Sequence, residues 1–139
     1  MHIDTQGSGT DLVLVHGWAM HSGVFAPLVR ELGPHFRLHL VDLPGHGFSR
    51  DDGASLDPGD CTRRIAKAVP RAIWLGWSLG GLVAMRAALD LPQQVRGLVL
   101  IAASPRGETG NCLSADRKFT RNPALSACSI CRRTGPRAT

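Results

Sequence analysis

An apolar run, "AIWL", passes through Gly76-Trp77-Ser78-Leu79-Gly80 directly into "GLVAMRAAL", and this stretch constrains the chain more than any other. A serine flanked by glycines two residues before and two after, at the junction of a strand and a helix, predicts a sharp turn. The glycines let neighbouring backbone pack close, and the serine hydroxyl is left exposed on the turn, beside the N–H groups that open the following helix.

The body around it alternates strand and helix. "DLVLVHG" is a short apolar run ended by Gly17, as expected for a strand buried on both faces. "GVFAPLVREL" places Val24, Phe25, Leu28, Val29 and Leu32 at helical spacing, and Gly33-Pro34 stops it. "FRLHLVDLPGHG" is a second strand entering a Gly/Pro turn. "PGDCTRRIAKAV" is a weaker helix, with Asp57 as N-cap and Pro58 at its first position. "AIWLG" is a third strand, "SLGGLVAMRAAL" a helix, and "VRGLVLIAA" a fourth strand. This order predicts an α/β fold: a mostly parallel sheet with right-handed crossovers and helices on both faces. Ligands of such sheets bind at the carboxyl ends of the strands. The polar and glycine-rich motifs "HGWAM", "DLPGHGFS" and "GWSLG" all fall there.

Each motif has its own chemistry. Ser78 offers an exposed hydroxyl. The loop holding Trp18 can aim a backbone N–H at a developing oxyanion, partnered by the N–H of Leu79 just after the serine. The His16 ring is expected to bond nearby backbone, and Asp42 to bond local N–H groups of its turn. His46 reads as a loop residue.

Charge and cysteine usage divide the chain in two. Residues 1–106 hold 10 Lys and Arg against 9 Asp and Glu, whereas residues 107–139 hold 6 against 2, so the net charge of +5 belongs mostly to the tail. The tail has no stacking aromatics and no nucleic-acid module, so no nucleic-acid partner is expected. Its composition, rich in Arg, Ser, Thr and Gly, reads as a linker, a disordered segment or the translation of a shifted reading frame. Cys61 stands alone in the body, and Cys112, Cys128 and Cys131 lie in the tail. Cys128 and Cys131 have the spacing of a zinc half-site, yet no histidine follows His46 to complete one, so no metal is expected. No apolar run approaches the roughly 20 residues that span a bilayer, and the N-terminus has no basic region followed by an apolar block. The expectation is a cytoplasmic protein away from the membrane.

"LVLVHGW", "VDLPGHGFS" and "AIWLGWSLGGLVA" together resemble the α/β-hydrolase superfamily over about residues 1–106. Within it, "HGWAM" with "WLGWSLGGLVA" is similar to the carboxylesterases of biotin synthesis, which cleave a methyl ester on an acyl chain displayed by acyl carrier protein. The resemblance implies a partial α/β-hydrolase fold over residues 1–106, lacking the later strands and the helical cap. It makes Ser78 the catalytic nucleophile, Trp18 and Leu79 the oxyanion and substrate contacts, and the substrate a small acyl ester borne on acyl carrier protein. It calls for no cofactor and leaves the oligomeric state open. In this superfamily an acid and then a histidine follow the serine. After Ser78 the chain has only Asp90, Glu108 and Asp116 as acids and no histidine, which implies a truncated and inactive form of the esterase. Two alternatives stay open: another α/β-hydrolase, such as a lipase, a peroxidase-like member or a carbon–carbon hydrolase, or a non-catalytic fragment that binds acyl ligands.

Overall fold

The computed structural model describes residues 1–103. Its strands are β1 (His2–Gly7), β2 (Thr10–Val15), β3 (Phe36–Asp42), β4 (Ala72–Trp77) and β5 (Val95–Ile101). They form one sheet in the order β1-β3-β2-β4-β5. β2, β3, β4 and β5 run parallel, and β1 pairs antiparallel with β3 at the edge. The four strands read from the sequence are the four parallel ones.

Continuous apolar sequence makes β2 the centre of the sheet. Val13 and Val15 face one core, Leu12 and Leu14 the other, and all four are buried. On the first face lie α2 (Pro58–Ala68) and α3 (Leu79–Asp90), which bring Ile65, Val83, Ala84 and Ala87 against Val13, Val41 and Trp74. On the second lies α1 (Ala26–Leu32), where Leu28, Val29 and Leu32 pack with Phe25 over Leu14, Leu38 and Leu40. Helices therefore cover both faces, as the alternation of elements requires.

Two local features differ from the sequence reading. β1 was not foreseen because its residues lack alternation: Ile3 is half-buried, and the other five positions of the strand are exposed. The stretch expected as one helix from Gly23 to Leu32 is split into a 3-10 turn over Ser22–Phe25 and α1. Pro27 is the cause. It has no N–H to give the carbonyl of Gly23, and the Ala26 N–H takes that carbonyl instead, in the tighter i to i−3 bond.

The tail over residues 107–139, with its cysteines and its two acids, lies outside the described residues. Among the described residues, no helix is long and apolar enough to cross a membrane. β5 pairs with β4 alone among the described strands, and its Val99 and Ile101 are 44% and 39% exposed.

α2 begins as its sequence dictates. The Asp57 carboxylate accepts the N–H groups of Gly59 at 2.9 Å and Asp60 at 3.1 Å, and Pro58 opens the helix where no donor is needed. We expect Asp57→Ala to cost about 1 kcal/mol in urea unfolding and Asp57→Asn to retain most of the stability. An alanine variant with an unshifted midpoint would show that the cap contributes nothing.

Candidate active site

Three loops meet above the carboxyl ends of β2, β3 and β4. The last is the shortest. Ser78 is exposed and sits at φ 52° and ψ −115°, a left-handed backbone that costs a non-glycine residue roughly 1–3 kcal/mol. The fold holds it there from both sides: its N–H donates to the Ile101 carbonyl at 2.9 Å, and its carbonyl accepts the Gly81 N–H at 2.9 Å.

The two motif glycines permit this geometry by having no side chain. A Cβ on Gly80 would overlap the carbonyls of Val15 and His16, and one on Gly76 would overlap the backbone of Gly80. The first turn of α3 is thereby seated against the end of β2. A Cβ on Gly17 would lie 3.3 Å from the Cβ of Ser78 and 3.7 Å from the sulfur of Met20. The backbone of the β2 loop therefore runs directly past the serine.

That loop turns at once. The Met20 N–H bonds the Gly17 carbonyl at 3.3 Å, with Ala19 at φ 56°. Trp18, at the outside of the turn, is 66% exposed. Its ring forms one wall of an open pocket of about 480 Å³, together with Met20, His46 and Leu56. Leu79 opens α3, and its N–H belongs to the first turn, where no preceding carbonyl of the helix can take it. Ser78, the Gly17 backbone and Leu79 are thus brought together at the carboxyl end of the sheet.

The β3 loop is organised by Asp42, which is fully buried. Its carboxylate accepts the Ser22 N–H at 2.7 Å and the Phe48 N–H at 2.9 Å, and its carbonyl accepts the Ser49 hydroxyl at 2.7 Å. Burial alone would push this carboxyl up, but the N–H bonds from Ser22 and Phe48 prevail and hold it below the usual carboxylate range. Asp42 therefore bonds local N–H groups, as its position in a turn predicts. His16 is fully buried and likewise bonds backbone: Nδ1 lies 2.7 Å from the Gly17 carbonyl, and Nε2 accepts the Leu43 N–H at 3.0 Å. His46 does more than the sequence indicated. Its Nε2 accepts the Ala19 N–H at 3.1 Å, across to the neighbouring loop. The signal that could have found it is an alanine at a turn position where glycine is preferred, visible only once the turn itself is known.

Among the described residues, no histidine is hydrogen-bonded to Ser78. His16 is the imidazole beside Gly17, and both its nitrogens are committed to backbone. The arrangement offers an exposed, strained hydroxyl beside backbone N–H groups at a helix start, where negative charge is stabilised.

A parallel sheet with a strained serine between its fourth strand and the following helix defines a hydrolase scaffold, and the sequence agrees. Residues 12–136 match the alpha/beta hydrolase family, and the chain belongs to it. It is 63% identical over 111 residues to the pimeloyl-[acyl-carrier protein] methyl ester esterase of Xanthomonas oryzae pv. oryzae (strain MAFF 311018), a match covering 80% of this chain and 44% of that relative. The chain thus spans less than half the length of the curated relative it matches. Among solved structures, an N-acyl homoserine lactone degrading enzyme superposes with a TM-score of 0.68 at 25% identity, covering 74% of this chain and 42% of that one. An esterase from Exiguobacterium antarcticum superposes with a TM-score of 0.66 at 26% identity, covering 73% and 41%.

Burial lowers the pKa of His16 from 6.5, since a charged imidazole would lose its hydration there. The unfolded chain therefore takes up a proton near pH 6.5 that the folded chain refuses. The stability contributed by a neutral His16 is complete above that pH and declines as pH falls from 6.5 toward the lowered folded value. Urea midpoints measured across this window should fall with pH, and His16→Gln should flatten the slope. A slope unchanged in the variant would assign it to another group.

Proposed function

We propose that this chain holds the nucleophile and the oxyanion donors of a serine carboxylesterase. The observation that carries the reading is the strained, exposed Ser78 at a strand-to-helix junction, with the Gly17 backbone lying against it. In this reaction Ser78 Oγ attacks the ester carbonyl while a base takes its proton. The N–H groups of Trp18 and Leu79 hold the oxyanion, the C–O bond to the alcohol breaks, and the alcohol leaves with a proton. Water then attacks the acyl-enzyme, releasing the acid and restoring the hydroxyl.

The name of the Xanthomonas relative supports the substrate: the methyl ester of a pimeloyl chain on acyl carrier protein, with methanol as the leaving alcohol. A place in biotin synthesis, in the cytoplasm, belongs to the same reading. The open pocket beside Trp18 would take part of the acyl chain against its apolar wall.

Among the described residues no histidine bonds Ser78 to act as its base. None of the six histidines follows Ser78 in these 139 residues, and a serine hydroxyl is a poor nucleophile without one. We expect the polypeptide to hydrolyse p-nitrophenyl acetate on the order of 10²–10⁴ more slowly than the Xanthomonas esterase, because general-base assistance is worth about that much. Residual turnover and slow labelling by a fluorophosphonate should both vanish in Ser78→Ala. Turnover equal to that of the relative and retained in Ser78→Ala would overturn the assignment of the nucleophile. A second reading, acyl binding without turnover, is favoured by the full commitment of the His16 nitrogens to backbone. It predicts ligand binding with no labelling at all.

A further inference from the structure

The loops after β2 and β3 are tied by a reciprocal pair of imidazoles. His16 on the first loop accepts the N–H of Leu43 on the second at 3.0 Å, and His46 on the second accepts the N–H of Ala19 on the first at 3.1 Å. In each ring the acceptor is Nε2, and in each Nδ1 faces a carbonyl, that of Gly17 at 2.7 Å or of Pro44 at 2.8 Å. A carbonyl only accepts and an amide N–H only donates. Their partners therefore assign both rings the same neutral form, with hydrogen on Nδ1 and a bare Nε2. The ring centroids are 5.2 Å apart.

His16 is sealed in the core, whereas His46 is half-buried and lines the open pocket. What His46 holds is strained. The Gly17–Met20 turn has Ala19 at φ 56° in its third position, the type II form that glycine normally supplies. Without its acceptor, the Trp18–Ala19 peptide is free to rotate to the type I form, which suits an alanine and turns the Ala19 N–H away. The Trp18 indole stands edge-on to the His46 ring at 5.6 Å, so side chain and backbone of this turn rest on one imidazole.

We propose that His46 is a positioning residue: its neutral ring holds in strained form the Gly17–Met20 turn, whose first residue runs beside Ser78. The catalytic meaning rests on the oxyanion role proposed above for Trp18. The clasp itself does not. The titratable groups around the ring are His16 at 5.2 Å, His21 across the pocket, and Asp42, whose carboxylate lies 4.0 Å from His16 Nε2 and is committed to the N–H groups of Ser22 and Phe48. None of them bonds a nitrogen of His46, whose partners are the Ala19 N–H and the Pro44 carbonyl.

The test compares the full chain with His46→Gln, whose carbonyl also accepts, and His46→Phe, which keeps a ring without an acceptor. The readouts are the 15N–15N coupling across the Ala19–His46 bond in the wild type and, in all three proteins, Ala19 amide exchange at one pH. In the wild type the coupling should be present, and exchange should be about tenfold slower than in the phenylalanine variant. The glutamine variant should stay slow, with the Leu75 amide of β4 unchanged in all three as a control for the fold. Wild-type protection of Ala19 in His46→Phe overturns the proposal. Affinity for an alkyl boronic acid, whose adduct on Ser78 places an oxyanion in the same position, should follow the same order. A boronic acid that binds neither wild type nor variants while Ala19 responds as described counts against the nucleophile reading and leaves the clasp standing. Equal affinity in the wild type and His46→Phe, with Ala19 released, overturns the positioning role.

Discussion

The contact of Gly80 with the carbonyls of Val15 and His16 is the constraint on which the rest of the site depends. It sets the start of α3 against the end of β2, and the pairing of Val15 with Gly76 brings the end of β4 to the same point. Three backbone segments then share a space that admits no Cβ. The short path left between β4 and α3 forces Ser78 into positive φ, and the chain leaving β2 must pass along the serine through another glycine, Gly17. A single close packing therefore determines both the strain of the hydroxyl-bearing residue and the identity of its neighbour.

The loops above this point are held by buried polar groups as well as by the buried Leu43. Asp42 draws Ser22 and Phe48 onto one carboxylate, and His16 joins its own loop to Leu43. Such groups are favourable only while their partners are complete, because each is buried away from water. The arrangement is accordingly specific: the loops fit together in one way or leave a buried donor unmet.

The parallel strands, the helices on both faces and the serine turn were legible because each rests on a local pattern: continuous apolar runs, helical spacing, and glycines bracketing a serine. The Asp57 cap and the backbone role of His16 were legible for the same reason. β1 was not, since a strand held by pairing with β3 at an edge needs no apolar alternation, and Thr5 and Gln6 give no sign of it. The break before α1 was hidden because apolar spacing continues through Pro27 while the hydrogen-bond ladder does not. His46 was hidden most deeply. Its partner is a backbone N–H on another loop, and nothing in a linear sequence records where a backbone N–H points.

The topology also dictates when the serine acquires its shape. β3 reaches β2 across a short connection, whereas β4 arrives from far along the chain, and loop closure favours the nearer pairing first. The bond from the Ser78 N–H to the Ile101 carbonyl needs β5, the last strand described. A chain that has paired β2, β3 and β4 but not β5 therefore still lacks the bond on the amide side of Ser78. The fifth strand completes the fixing of a turn that the packing of Gly80 has already begun.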